Sequence, residues 1–141
     1  MYKIEIITIG KNKELWLKQA LLEYEKRLEK SISLKWVLAK DNPHLINICN
    51  SIDFFICLSP NGKILTSETF STMLFKWLEK NGSRLTFVIG GAEGIPTIIQ
   101  KKSSYNLSLS FLTFTHQITR ILLIEQIYRA EQIYKNTPYH N

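Results

Sequence analysis

The chain has 141 residues, 45% of them hydrophobic and 21% charged, with a formal net charge of +6. Such a length and balance suit a single domain, residues 1–141, with its own core. No apolar run reaches the roughly 18 residues that a membrane span needs.

The opening MYKIEIITIG alternates apolar and polar residues. It predicts a first strand ending near Gly10, not a signal peptide with an uninterrupted apolar segment. The turn after it, Gly10-Lys11-Asn12-Lys13, carries one glycine, which is wrong for a dinucleotide site. From Lys13 to Ser31, Leu17, Leu21, Tyr24 and Leu28 fall on one helical face. LKWVLAK reads as the next strand. Nine of the 18 basic residues lie before Asp41. Many of these solvate a helix face, and the bias also favours a polyanionic partner such as nucleic acid. Asp41 to Ser51 holds one helical turn or a loop.

IDFFICLSP is continuously apolar at its centre, as a strand covered on both faces should be. It contains Cys57, read as a buried free thiol. Its spacing from Cys49 fits no common zinc site, so no metal is expected. The cysteine usage predicts a reduced, cytoplasmic protein. Ser67 is a candidate cap for the helix ETFSTMLFKWLEK, which stops at Asn81-Gly82. RLTFVIGG is the fourth strand-like run. Pro96 suits the first turn of a short helix. NLSLSFLTF is the fifth strand-like run, and a last helix covers His116 to Lys135. Alternating strands and helices predict an α/β domain with a mostly parallel sheet.

Three stretches are candidates for function. The turn after FVI, GGAEG, has neither the G-x-G-x-x-G spacing nor a P-loop's Gly-Lys-Ser/Thr ending. Two readings of its glycines fit: close backbone approach to a flat, weakly charged ligand, or a tight turn that needs glycine dihedrals. LSLSFLTFTHQITR places Ser108, Ser110 and Thr113 at a strand's carboxyl end, where open α/β sheets bind ligands, and His116 at a helix start. His116 reads as a catalytic group or as a side chain satisfying the helix end. The tail NTPYHN carries Tyr139 and His140 after a helix that is apolar almost all round. Such a helix buries more than one face, against its own sheet and against a second copy. Glu125 and Arg129 have the spacing of a helical ion pair, and a buried partner across an interface is an equal reading.

Together these stretches resemble the RlmH family of ribosomal RNA methyltransferases, within the SPOUT superfamily. The resemblance rests on FVIGGAEG, on LSLSFLTFTHQITRILLIEQIYRAEQIY and on NTPYH, with the strand ending in Gly10 and the pair Glu23-Tyr24. It implies an α/β-knot fold: a mostly parallel sheet of five or six strands with a C-terminal trefoil knot. Nothing in the sequence itself would suggest a knot, since knots are nearly absent from proteins. It implies S-adenosylmethionine as cofactor, held by Leu58, Gly90, Leu109, Ser110, Phe111, Leu112, Thr113 and Phe114. It implies methylation of N3 of a pseudouridine in an interface hairpin loop of 23S rRNA, on the ribosome, by a homodimer, with no membrane partner. His116, Tyr139, His140 and Arg120 are the catalytic candidates, with Arg129 a further stabiliser of charge or RNA. The alternatives are a SPOUT enzyme for another RNA, such as tRNA, or a non-catalytic RNA-binding protein of the same fold. The chain departs from the family pattern where Ala92 replaces Pro, Thr115 replaces Pro and Thr137 replaces His. Ser59 stands where aspartate is common, and the segment before IDFFICL is short.

Overall fold

The computed structural model describes all 141 residues. The chain alternates without exception: β1 (Tyr2–Ile9), α1 (Leu15–Leu28), β2 (Ile32–Ala39), α2 (Asn42–Cys49), β3 (Ile56–Ile64), α3 (Ser67–Lys80), β4 (Arg84–Ile89), α4 (Thr97–Lys102), β5 (Tyr105–Ser108) and α5 (His116–Tyr134). The five strands form one sheet in the order β2-β1-β4-β3-β5, and every pairing is parallel.

Helices cover both faces. On one, α1, α3 and α5 enclose a core cluster of 21 buried residues; on the other, α2 and α4 enclose a cluster of eight. Because successive strand side chains point to opposite faces, each central strand feeds both. Ile4 and Ile6 of β1 join the larger cluster and Ile7 the smaller; in β4, Leu85, Phe87 and Ile89 join the larger and Val88 the smaller. The two thiols are free and buried in the smaller cluster, and burial pushes Cys57 up to about 12.

Helix α5 lies between α1 and α3, which accounts for most of its apolar surface. Leu123, Ile124, Ile127 and Ala130 are sealed in the core. Ser71 on α3 donates to the Ala130 carbonyl at 2.7 Å, and Tyr134 stacks on Phe75 with ring centroids 3.9 Å apart. Glu131 is buried against Ser31 and Gln132, and burial raises its carboxyl pKa.

Four local readings need revision. Asp41 to Ser51 contains a full two-turn helix: the Asp41 carboxylate accepts from the His44 amide at 2.9 Å, and Pro43 sits in the first turn. The cap of α3 is Thr66, whose hydroxyl accepts from the Thr69 amide at 3.1 Å, not Ser67. β3 starts at Ile56, because residues 52–55 turn to enter the sheet. β5 ends at Ser108, so the alternation continuing through SFLTF belongs to a loop. Helix α1, the stop of α3 at Asn81 and the span of α5 follow the sequence pattern.

Candidate active site

The carboxyl ends of β3, β4 and β5 open into one cleft of about 130 Å³. Its floor is Leu58, Ile89 and Leu107; its walls are the glycine turn and the loop between β5 and α5. Of the eight residues expected to hold a cofactor, Leu58, Gly90, Leu109, Ser110, Leu112, Thr113 and Phe114 line it. Phe111 does not: its side chain is 94% exposed and points away from the cleft. The cleft also includes Gly91 and Gly94 of the glycine turn, and Pro60, Ile95 and Thr119, which sequence reasoning did not single out. Thr119 had a signal, since it lies three residues after His116 on the same helix face. Ile95 had none, because only the folded turn brings it to the opening.

The loop walls are built by their own hydroxyls. Ser108 donates to the Ser110 carbonyl at 2.8 Å, and the Ser110 hydroxyl accepts from the Leu112 amide at 3.0 Å. Thr115 then caps α5, accepting from the Ile118 amide at 3.3 Å. A proline could not make that bond, which gives Thr115 a structural reason. Thr137 closes the other end of α5, donating to the Gln132 side chain at 2.8 Å. Ala92 is exposed at the turn's tip, and the Ser59 hydroxyl accepts from the Asn61 amide at 3.3 Å.

The glycine turn packs closely on its own backbone. A Cβ on Gly90 would sit 2.5 Å from the Gly94 carbonyl carbon and 2.7 Å from the Ile95 nitrogen. Gly94 donates its amide to the Gly91 carbonyl at 3.0 Å and has φ +83°. The space that Gly90 leaves empty is therefore filled by the turn's own backbone. Gly90 lines the cleft, and its lack of a side chain lets the turn close.

No cleft residue carries a formal charge. His116 is the one titratable side chain lining it, and burial, with the nearby Arg120 charge, lowers its pKa. Its Nδ1 lies 3.3 Å from Arg120 Nη2. A guanidinium can only donate, so Nδ1 accepts and the proton of the neutral ring is on Nε2. Arg120 itself is fully buried below the cleft. It donates to the Ile9 carbonyl at 2.6 Å, the Lys11 carbonyl at 3.2 Å, Thr8 at 3.4 Å and the Asn12 side chain. It does not itself line the cleft.

The tail lies elsewhere. Tyr139 donates to Glu125 at 2.8 Å, and Glu125 is held by two bonds from Arg129 at 3.1 and 3.2 Å. Burial and that carboxylate push Tyr139 up to about 12. His140 Nδ1 accepts from Arg129 at 2.9 Å, which leaves the Nε2 proton to face Glu68 at 3.2 Å. Glu125 lies nine residues beyond His116, about 13 Å along the helix. Within one protomer, His116 lines the cleft; Tyr139 and His140 do not.

The cleft suits a flat, weakly charged ligand: apolar walls, backbone polar groups and one histidine. Nowhere does the chain gather three side chains able to hold a metal ion, and no helix is long and apolar enough to cross a membrane.

A family profile described as "Predicted SPOUT methyltransferase" matches residues 2–140. The chain is 51% identical over 140 residues to ribosomal RNA large subunit methyltransferase H of Protochlamydia amoebophila, covering 99% of both chains. The protein of the same name from Dictyoglomus thermophilum is 37% identical over 150 residues, covering 97% of this chain and 98% of that one. That from Streptococcus mutans is 35% identical over 157 residues, covering 98% and 99%. The longer alignments require gaps in this chain, in keeping with its shortness; the alignment with the Protochlamydia protein does not. Among solved structures, a probable methylase family protein from Haemophilus influenzae superposes with TM-score 0.57 at 10% identity, over 99% of this chain and 70% of that one. TrmJ from Z. mobilis does so with TM-score 0.56 at 8% identity, over 93% and 70%. At those identities the two share the fold.

Two outcomes follow from the geometry. Gly90→Ala should destabilise the protein by about 1–3 kcal/mol, because backbone must move to admit the methyl. Gly91→Ala, which meets the flexible Ile9 side chain at 3.3 Å, should cost clearly less; urea denaturation of both variants measures this. For His116, the folded pKa lies below the ordinary 6.5. The unfolded state then binds more protons as pH falls through 6.5, so stability drops until the folded pKa is passed. His116→Gln should flatten that acid-side loss between pH of about 7.5 and 5, read as the difference in urea midpoints.

Proposed function

The chain belongs to the SPOUT methyltransferase family, and from that premise we propose that it is an S-adenosylmethionine-dependent methyltransferase of large-subunit ribosomal RNA. The observation that carries this reading is the full-length identity to methyltransferase H proteins, joined to an uncharged cleft at the carboxyl edge of a parallel sheet. The acceptor is N3 of a pseudouridine in the subunit-interface hairpin loop of 23S rRNA, the particle is the assembled ribosome, and the compartment is the cytoplasm.

S-adenosylmethionine, when bound, supplies an electrophilic methyl on a sulfonium. Leu58, Gly90, Leu109, Ser110, Leu112, Thr113 and Phe114 would hold it. The remaining chemistry is positioning, exclusion of water and loss of the acceptor's proton. Holding reactants in line supplies much of the rate in such a displacement. His116 offers a donor on Nε2, suited to a carbonyl of the acceptor base. It is a poor proton acceptor, because protonating Nδ1 would break its bond to Arg120. Tyr139 and His140 are the candidates for contact with the acceptor and its departing proton. Tyr139, with its pKa pushed up to about 12, acts as a donor.

The tail reaches the chemistry only if a second protomer brings it there. We therefore place the reaction in a homodimer, with the tail of one subunit at the other's cleft. Exposed apolar side chains beside the cleft support this: Phe111 is 94%, Leu112 73% and Ile118 38% exposed. Ile127 is not at such a surface, being sealed in the protomer's own core. The knot implied by the resemblance is also part of the proposal. Beside the cleft, the β3–β5 pairing carries a register shift, with Leu107 on β5 opposite both Leu58 and Lys63 of β3. The intervening residues bend around β5, and a Cβ on Gly62 would sit 2.6 Å from the Leu107 backbone.

Mass mapping of 23S rRNA from cells with and without the gene tests the acceptor: the methyl should disappear from one pseudouridine and nowhere else. Removing residues 137–141 should leave cofactor binding and the dimer intact but abolish methyl transfer to ribosomes. Ile118→Asp, at an exposed position, should yield a folded monomer by sedimentation. Normal turnover without the tail would refute its role, and a monomeric parent protein would refute the dimer.

A further inference from the structure

The cleft just described uses only part of the sheet's carboxyl edge. Over the neighbouring ends of β1 and β2 lies a second depression lined by Gly10, Lys11, Asn12, Lys13, Lys18 and Lys40, with Leu38 and Ala39 at its base. All four lysines are exposed. None belongs to any of the chain's ion pairs. Two acids flank it in sequence, Glu14 and Asp41; Asp41 is engaged at the α2 cap, and neither reaches a lysine.

Four unneutralised ammonium groups in one depression, in a chain of net charge +6, are unusual in a purely structural surface, because like charges repel and ordinarily attract carboxylates between them. Their chemistry suits a chain of phosphates: lysine binds phosphate as a point charge without demanding geometry. The depression is also rigidly placed. Gly10 donates to the Ala39 carbonyl at 3.0 Å, closing the β1 and β2 ends together. Arg120 holds the Lys11 carbonyl and the Asn12 side chain from below, and the same guanidinium touches His116 in the cofactor cleft. The two depressions thus share one buried anchor. In the sheet β1 pairs directly with β4, so the two depressions adjoin along the carboxyl edge, one strand spacing of about 5 Å apart at the β1–β4 boundary.

We propose that Lys11, Lys13, Lys18 and Lys40 dock the phosphodiester backbone of the RNA substrate, flanking the nucleotide that enters the cofactor cleft. This rests on the reading of the chain as an RNA methyltransferase. Phosphate contacts position without reading sequence, so the lysines set the approach of the RNA and leave acceptor choice to the cleft and the tail. The basic residues concentrated before Asp41 thereby gain a local function.

The test compares two triple variants with the same change of charge. Lys13→Glu/Lys18→Glu/Lys40→Glu alters the depression. Lys30→Glu/Lys76→Glu/Lys101→Glu alters exposed lysines at the opposite, amino edge of the sheet. Each brings the net charge from +6 to zero. Methyl transfer to purified large subunits and 70S particles gives KM and its salt dependence, and calorimetry gives the affinity for S-adenosylmethionine. For the depression triple, KM should rise about tenfold or more, and the log–log salt slope should shrink by about 2, at roughly 0.7 per lost contact on single-stranded RNA. Its cofactor affinity should match the parent's. The amino-edge triple should change KM much less. Where the glutamate triple does not fold, Lys13→Gln/Lys18→Gln/Lys40→Gln is read the same way. Equal losses from both edges, or no loss from the depression, overturn the proposal. A parent protein that methylates no ribosomal particle overturns the enzymatic reading, and the docking proposal with it.

Discussion

A single buried guanidinium ties the two ends of this chain together. Arg120 sits in the first turns of α5, yet its hydrogen bonds go to Thr8, Ile9, Lys11 and Asn12, more than 100 residues away. No carboxylate neutralises it. A buried charge without hydrogen-bonding partners would cost several kcal/mol; here oxygens from the end of β1 and the turn after it accept from both terminal nitrogens, and only Nε is left without a partner. That arrangement fixes where α5 begins. It thereby sets the last loop over the sheet's carboxyl edge, holds His116 neutral with its proton on Nε2, and stiffens the lysine-bearing turn after β1. Catalytic and docking features on separate elements are aligned by one side chain.

The rest of the site follows from parallel topology. All five strands deliver their carboxyl ends to one edge, and helices on both faces keep water from the floor. Only loops and turns can shape the opening. The glycine turn folds onto itself, and the β5–α5 loop is stapled by Ser108 and Ser110. A cleft made mostly of backbone and apolar side chains accepts a cationic cofactor without a fixed counter-charge. The price is that the groups needed for proton loss must come from outside it.

Much of this was legible in the sequence because burial on two faces leaves a strong mark. FFICL and LTFVI could be little else than central strands, and the spacing of Leu17, Leu21 and Leu28 set the inward face of α1. Motif order along the whole chain pointed to the family, and seven of eight expected cofactor residues gather at one cleft. What failed has physical causes. Alternation persisted beyond Ser108 because an extended loop can keep a strand's pattern without pairing. Helix α2 was obscured because eight residues give too few turns for periodicity, although Asp41 and Pro43 were valid start signals. The close packing of the glycine turn on its own backbone was one of two readings, because a backbone folding onto itself leaves no compositional trace that separates them. Arg120 was read as a catalytic candidate, because nothing in the sequence shows that its terminal nitrogens donate to oxygens over 100 residues away.

The central claim is that a ribosomal RNA methylation site is completed between two protomers, and a mixed-dimer measurement tests it most directly. One variant lacks residues 137–141; the other carries Ser110→Trp, which fills the cofactor cleft. Each alone should be inactive on ribosomes. Unfolded and refolded together at equal concentration, they form mixed dimers with one intact cleft facing one intact tail, and activity should return to about a quarter of the parent's in a two-fold symmetric assembly. Mixtures as inactive as the separate variants, or a truncated protein active by itself, would contradict the account.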